Sequence, residues 1–233
     1  MKALIVRGGW GGHEPLQTSE IAARELREAG VEVELAETLD AFRDASKLKQ
    51  LDLIVPIWTM GTIEKEQLEP LLAAVRAGVG LGGWHGGMCD AFRQQTEYQF
   101  MTGGQWVSHP GGDKAHYRVR IGPQPSPITS GLADFYVTSE QYYMHVDPGV
   151  TVLATTHVAP GAAGGDGYDP EAQAAVDADR VPGVPMPVTW TKRYGKGRVF
   201  YTSLGHVARV FEIPEAVTML RRGLLWAAGA PLP

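Results

Sequence analysis

The chain has 233 residues, 44% of them hydrophobic and 20% charged, with a formal net charge of -5 and a pI near 5.8. That length fits one large α/β domain, or at most two small ones, and supports a substantial core. Lys and Arg scattered along an acidic chain disfavour nucleic-acid binding, a single cysteine excludes an internal disulfide and a cysteine-rich zinc site, and no apolar stretch reaches the length that spans a bilayer.

The opening run Met1 to Arg7 is too short for a signal segment and reads as a first strand, so the expectation is a soluble, cytoplasmic protein. Ala3 to Val6 is continuously apolar, the pattern of a strand buried on both faces of a parallel sheet. It stops at a glycine-rich loop, Arg7 to Pro15, that carries Trp10 and His13. From Leu16 the spacing of Ile21, Ala22, Leu26 and Ala29 predicts a helix ending at Gly30. Val31 to Leu35 alternates as a half-exposed strand, and an amphipathic piece around Leu39 to Leu48 leads to a third strand, Leu51 to Ile57. Trp58 to Gly61 follows it, then a helix over Glu64 to Ala77 with Leu68, Leu71, Leu72 and Val75 inward.

The fourth strand, Val79 to Gly82, runs into Gly83-Trp84-His85-Gly86-Gly87, and a helix is expected from Met88 to Phe100. This is the form of a nucleophile elbow, G-x-S-x-G, with histidine where serine or cysteine usually stands. A neutral imidazole there acts as a base, a hydrogen-bond donor or a metal ligand, and the positive end of a helix would keep it neutral. Cys89, a turn further on, reads as a buried packing residue. Strands alternating with helices predict a doubly wound, mostly parallel sheet. Ligands bind such sheets beyond the carboxyl ends of the strands, where the loops bearing Trp10, His13, Trp58 and His85 all fall.

Beyond the elbow, Gly103 to Gly112 is a second glycine-rich loop, with Trp106 and His109. His116 to Ile121 reads as a strand, Ser126 to Leu132 as a turn, and Val150 to Thr156 as another strand. Between about 160 and 186 the composition turns to Gly, Ala, Asp and Pro, which predicts a flexible insertion within one domain over residues 1–233, and suggests a lid. Met186 to Tyr194 and Arg198 to Tyr201 form a hairpin about Gly195-Lys196-Gly197, and Pro214 to Ala228 closes the chain as a helix.

Gly83-Trp84-His85, Gly103-Gly104-Gln105-Trp106 with His109-Pro110, Ser126-Pro127-Ile128-Thr129 and Ser139-Glu140-Gln141-Tyr142 together resemble the ThuA-like trehalose utilisation family. So do Pro187-Val188-Thr189-Trp190, the run Tyr194 to Tyr201, and Leu204-Gly205-His206 with Leu225-Trp226-Ala227. The resemblance implies a class I glutamine amidotransferase-like fold, a flavodoxin-like sheet with helices on both faces, and a part in the use of trehalose or related disaccharides and keto-sugars. In the amidotransferases the elbow holds a cysteine that works with a distant histidine and glutamate. Here His85 replaces the cysteine, so glutaminase chemistry by a thiol is not expected, and His206 and Glu140 are the counterparts by motif order.

The expected catalytic set is therefore His85, Glu140 and His206, with Glu140 orienting His206 toward His85 for acid-base chemistry on a sugar. Trp10, Trp58, Trp84 and Trp106 offer faces for sugar rings, and His13, His109 and Tyr142 offer hydrogen bonds. His145 has a weaker claim, and His116 and His157 have none. No cofactor is required by the sequence, although His85, Glu140 and His206 form a set that suits a divalent metal such as zinc. A metal-dependent hydrolase and a non-catalytic sugar-binding or assembly module stay open beside the acid-base enzyme. The partner expected is a small carbohydrate, and the apolar surface of a homo-oligomer is not separable from core surface in sequence.

Overall fold

The computed structural model describes residues 1–162 and 167–232. Along β1 (Lys2–Gly9) the residues Ala3 to Val6 are all buried. Leu4 and Val6 join one apolar cluster, Ala3 and Ile5 the other, as period-two alternation requires of a strand covered on both faces. α1 (Pro15–Glu28) lays Ala22, Ala23 and Leu26 on the second cluster and returns the chain to β2 (Glu32–Ala36), parallel to β1.

A 3₁₀ turn, Leu39–Phe42, and one helical turn, α2 (Ala45–Leu48), precede β3 (Leu53–Thr59), which pairs parallel with the other side of β1. α3 (Lys65–Ala77) buries Leu68, Leu71, Leu72 and Val75 against the first cluster. β4 (Gly80–Trp84) then lies beside β3. Its glycines serve close packing: a Cβ on Gly82 would stand 2.6 Å from Leu224 Cδ2, so only a bare backbone lets the C-terminal helix sit this near the strand.

The helix expected over Met88 to Phe100 is instead two short ones, α4 (His85–Cys89) and α5 (Thr96–Thr102). The cause lies across the fold. Met60 N–H donates to Asp90 O at 2.8 Å and Phe92 N–H to Met60 O at 3.2 Å, so the backbone groups a continuous helix needs are committed to the end of β3.

β5 (Gly104–Ser108) and β8 (Tyr143–Val146) make a separate two-stranded sheet. β6 (His116–Ile121), β7 (Phe135–Thr138), β9 (Thr151–Val158), β10 (Val184–Tyr194) and β11 (Gly197–Thr202) complete the main one. Its order is β2-β1-β3-β4-β11-β10-β9-β6-β7: parallel through β11, antiparallel from β10 outward. The expected α/β fold is present, and α7 (Pro214–Ala228) covers β4 and β11.

The stretch about 160–186, expected as a flexible insertion, carries regular structure in its described part. Residues 163–166 lie outside the described residues, but α6 (Pro170–Asp177) follows, capped by Asp169, and β10 begins at Val184. α6 packs on β6 and β9, where Arg120 donates to Val176 O at 3.0 Å; that places it on the antiparallel half of the sheet. Among the described residues no helix is long and apolar enough to cross a membrane.

Candidate functional site

β4 ends at Trp84, and His85 opens α4 with φ of 46°. A left-handed histidine is a strained conformation that turn geometry and packing must hold. Tyr201 O–H donates to the His85 carbonyl at 3.1 Å, and the ring stacks on Tyr142 with centroids 4.0 Å apart. α4 spans only 5 residues, too short for an appreciable macrodipole. What fixes the imidazole is a hydrogen bond, from Nδ1 to the carbonyl of Ser203 at 2.8 Å.

The other ring nitrogen, His85 Nε2, faces Glu140 Oε2 at 3.1 Å. Glu140 follows β7 and is only 8% exposed; its own carbonyl accepts the Tyr117 hydroxyl at 3.1 Å. Around its carboxylate stand three more imidazoles. His206 Nε2 lies 3.5 Å from Oε1, His109 Nε2 3.8 Å from Oε1, and His13 Nε2 3.9 Å from Oε2. Glu140 thus meets His85 first and His206 second, in place of the expected relay from Glu140 through His206 to His85.

His13, expected to bind sugar, is buried in this cluster and also lines the cavity described below. It sits in the 3₁₀ turn Gly11–His13, with Nδ1 2.8 Å from Thr59 Oγ1 and its ring centroid 4.6 Å from that of His85. Gly86 makes room for it. His206 reaches the cluster from the end of β11, past Gly205, whose φ of 94° suits glycine. Burial and neighbouring imidazoles push His13 down to about 3, and burial also lowers His206. For Glu140 burial acts upward, but the hydrogen bond and charge of His85 outweigh it and hold the carboxyl at about 2. Neutral His13 and His206 therefore surround an ionised carboxylate near neutral pH.

Above the carboxylate a cavity of about 260 Å³ opens between Trp10 and Trp106, with His109, Tyr142 and the Asp90–Arg93 pair in its wall. Trp10 is 49% exposed and meets the His13 ring edge-on at 4.7 Å. His109 keeps 41% of its side chain exposed and tilts against Trp106. The Arg93 guanidinium lies over Trp106 at 4.9 Å and donates to Asp90 at 2.6 and 3.0 Å. Asp90, Arg93, Thr59 and Ser203 escaped sequence analysis; only the Asp-x-x-Arg spacing of the first two carries a signal.

Two tryptophans expected in the site stand elsewhere. Trp84 is fully buried and packs edge-on to Phe211 at 5.9 Å, because a residue inside a strand covered on both faces is core. Trp58 packs against the first apolar cluster and over Gly8, where a Cβ would lie 2.4 Å from its ring. His145 lines a separate depression near Thr96 and Asp147. Cys89 is buried as expected, and burial raises its thiol so that it stays protonated.

Comparisons with known proteins agree with this architecture. The ThuA family, described as trehalose utilisation, matches residues 2–227. Among curated proteins no sequence matches. Among solved structures the chain is similar to a ThuA-like protein from Parabacteroides merdae, with TM-score 0.73 and 19% identity over 100% of this chain and 92% of that one. A ThuA-like protein from Bacteroides uniformis gives 0.73 at 17% identity, covering 97% and 91%. A cytoplasmic protein from Salmonella typhimurium gives 0.67 at 12% identity, covering 97% and 99%. Identities this low establish the fold alone. The family pattern runs through nearly the whole sequence, and on that ground the chain belongs to the ThuA trehalose utilisation family.

Proposed function

We propose that the chain processes a carbohydrate by acid-base chemistry in the cavity between Trp10 and Trp106. One observation carries this: the buried carboxylate of Glu140, ringed by imidazoles, forms the floor of a pocket with aromatic walls. Sugar rings stack their apolar faces on aromatic rings and give their hydroxyls to polar groups, and membership in a trehalose utilisation family supports that substrate class.

The cavity is below the roughly 300 Å³ at which drug-sized pockets begin, so it holds one sugar ring, with the second ring of a disaccharide outside along exposed Trp10. His109 joins the two environments, open to solvent on one side and 3.8 Å from Glu140 on the other, which suits a group that exchanges protons during turnover. The single cysteine is buried and protonated, so thiol-based glutaminase chemistry has no nucleophile here.

The test is incubation with trehalose and with its keto derivative in deuterated water, followed by NMR. Conversion, or solvent deuterium at a sugar carbon, is expected from the native protein, and Glu140→Gln should abolish both while sugar still binds. Binding without conversion or exchange in the native protein would make it a sugar-binding module. Native rates in Glu140→Gln would remove the carboxylate from the mechanism.

A further inference from the structure

The hydrogen bond from His85 to Ser203 has a consequence for its other nitrogen. A carbonyl oxygen only accepts, so Nδ1 carries the proton, and in the neutral ring Nε2 presents a lone pair. That lone pair points at a carboxylate oxygen 3.1 Å away. Two acceptors in contact repel, so a positive centre, either a second proton on His85 that makes the hydrogen bond described above or a metal ion, must lie between or beside them. A proton answers for one such pair, but four imidazole Nε2 atoms, those of His85, His206, His109 and His13, stand within 3.9 Å of this carboxylate. His13 and His206 also direct Nε2 at Glu140.

The spacing matches a metal polyhedron. In a tetrahedral site with bonds of about 2.1 Å, ligand atoms stand about 3.4 Å apart. His85 and His13 Nε2 stand 3.1 and 3.9 Å from Glu140 Oε2, and His206 Nε2 stands 3.5 Å from Oε1; one donor atom from each of the four residues lies within 4.8 Å of all the others. The outer contacts fit for two of the three histidines, while His206 Nδ1 is buried without a hydrogen-bond partner among the described residues. Metal-ligating histidines use their second nitrogen on a carbonyl, carboxylate or hydroxyl that fixes the ring. His85 bonds Ser203 O in this way and His13 bonds Thr59 Oγ1, both at 2.8 Å.

We propose that His13, His85, His206 and Glu140 bind one divalent transition-metal ion of the zinc class. Three imidazoles and one carboxylate suit zinc, cobalt, nickel or iron, whereas calcium and magnesium prefer all-oxygen shells. His109, partly exposed and 3.8 Å from Glu140 Oε1, lies outside the set. Glu140 and His13 both line the cavity, so a fifth position on the ion opens toward it and is available to water or a sugar oxygen. Ion binding stands on ligand geometry alone; only the role of that open position rests on the carbohydrate reading above.

The experiment is elemental analysis of the protein as purified, then titration of chelator-treated protein with Zn²⁺ and with Co²⁺, whose visible absorption reports coordination by nitrogen and oxygen. Expected are about one ion per chain, a Co²⁺ spectrum that Zn²⁺ displaces, and at least a hundredfold weaker binding in both His85→Ala and His206→Gln. His109→Ala should keep the spectrum. Circular dichroism of each variant separates lost ligands from lost fold, and His206→Gln covers the case in which the strained elbow does not tolerate alanine. No ion in the purified protein together with no Co²⁺ spectrum would overturn the proposal, and so would a spectrum unchanged in folded His85→Ala and His206→Gln. Sugar turnover by a metal-free, Co²⁺-silent protein would retire the metal and leave the acid-base enzyme. A bound ion without turnover would do the reverse.

Discussion

Gly86→Ala separates the site from the fold. Gly86 lies in α4, and a Cβ there would stand 2.6 Å from His13 Cε1, 2.8 Å from its Nδ1 and 3.0 Å from Thr59 Cγ2. Carbon atoms rest about 3.5 to 4.0 Å apart, so the His13 ring must retreat by about 1 Å. Helix propensity favours alanine by about 0.5 to 1 kcal/mol, while overpacking costs about 1 to 3 kcal/mol. The net loss of stability is therefore small, about 0 to 2.5 kcal/mol by the same figures. A misplacement of about 1 Å, by contrast, can lower a catalytic rate about a hundredfold. Urea unfolding should show a modest change in midpoint, while sugar turnover and Co²⁺ affinity both fall by a factor of about 100. A variant with native turnover and native Co²⁺ affinity would show that His13 has no part in the site.

The two kinds of tryptophan should behave oppositely: Trp84→Ala, in the core, should cost about 3 to 5 kcal/mol by denaturant unfolding, whereas Trp10→Ala should stay within about 0.5 kcal/mol and raise KM for the sugar. Lys192 and Asp147 form a largely buried ion pair, and the Lys192 hydrogen bond together with the Gly149 N–H holds the Asp147 carboxyl below its usual range. The stability this supplies is complete above the ordinary aspartate value and fades as pH falls through the lowered one, so Asp147→Asn should flatten acid unfolding in that window. The same variant leaves the Lys192 ammonium without its countercharge, held by the Phe100 carbonyl and ring, at about 3 kcal/mol near neutral pH; an acid limb unchanged by the substitution would contradict the assignment. Cys89 should resist a disulfide reagent at pH 8 in the folded protein and react at once in urea, and rapid labelling of the native state would show that it is not buried.

Much of the architecture was legible because burial imposes period. Ala3 to Val6 had to be a doubly covered strand, and Leu68, Leu71, Leu72 and Val75 had to share a helix face. The elbow was legible too, since four glycines about Trp84 and His85 leave few alternatives. What escaped depends on partners far along the chain. The break after Cys89 follows from Met60 pairing with Asp90 and Phe92, which no local pattern announces. Trp84 and Trp10 both flank glycines, yet one is core and the other rim, because the strand continues through the first and stops before the second. That His13 joins the cluster was hidden for a similar reason: Glu140, which it faces, lies far along the chain.

The position of β11 bears on how the protein is made. It is the last strand in chain order, yet it lies in the middle of the sheet, between β4 and β10. Until Gly197 to Thr202 leave the ribosome, the parallel and antiparallel halves are separate pieces, each with an unpaired edge that invites pairing with other chains. Closing the sheet joins Val199 to Leu81, a contact of long sequence separation and therefore slow to form. The same event carries His206 to Glu140. A nascent chain thus lacks the complete histidine cluster and presents two open edges until β11 docks, and shielding those edges is the task that a chaperone would perform for it.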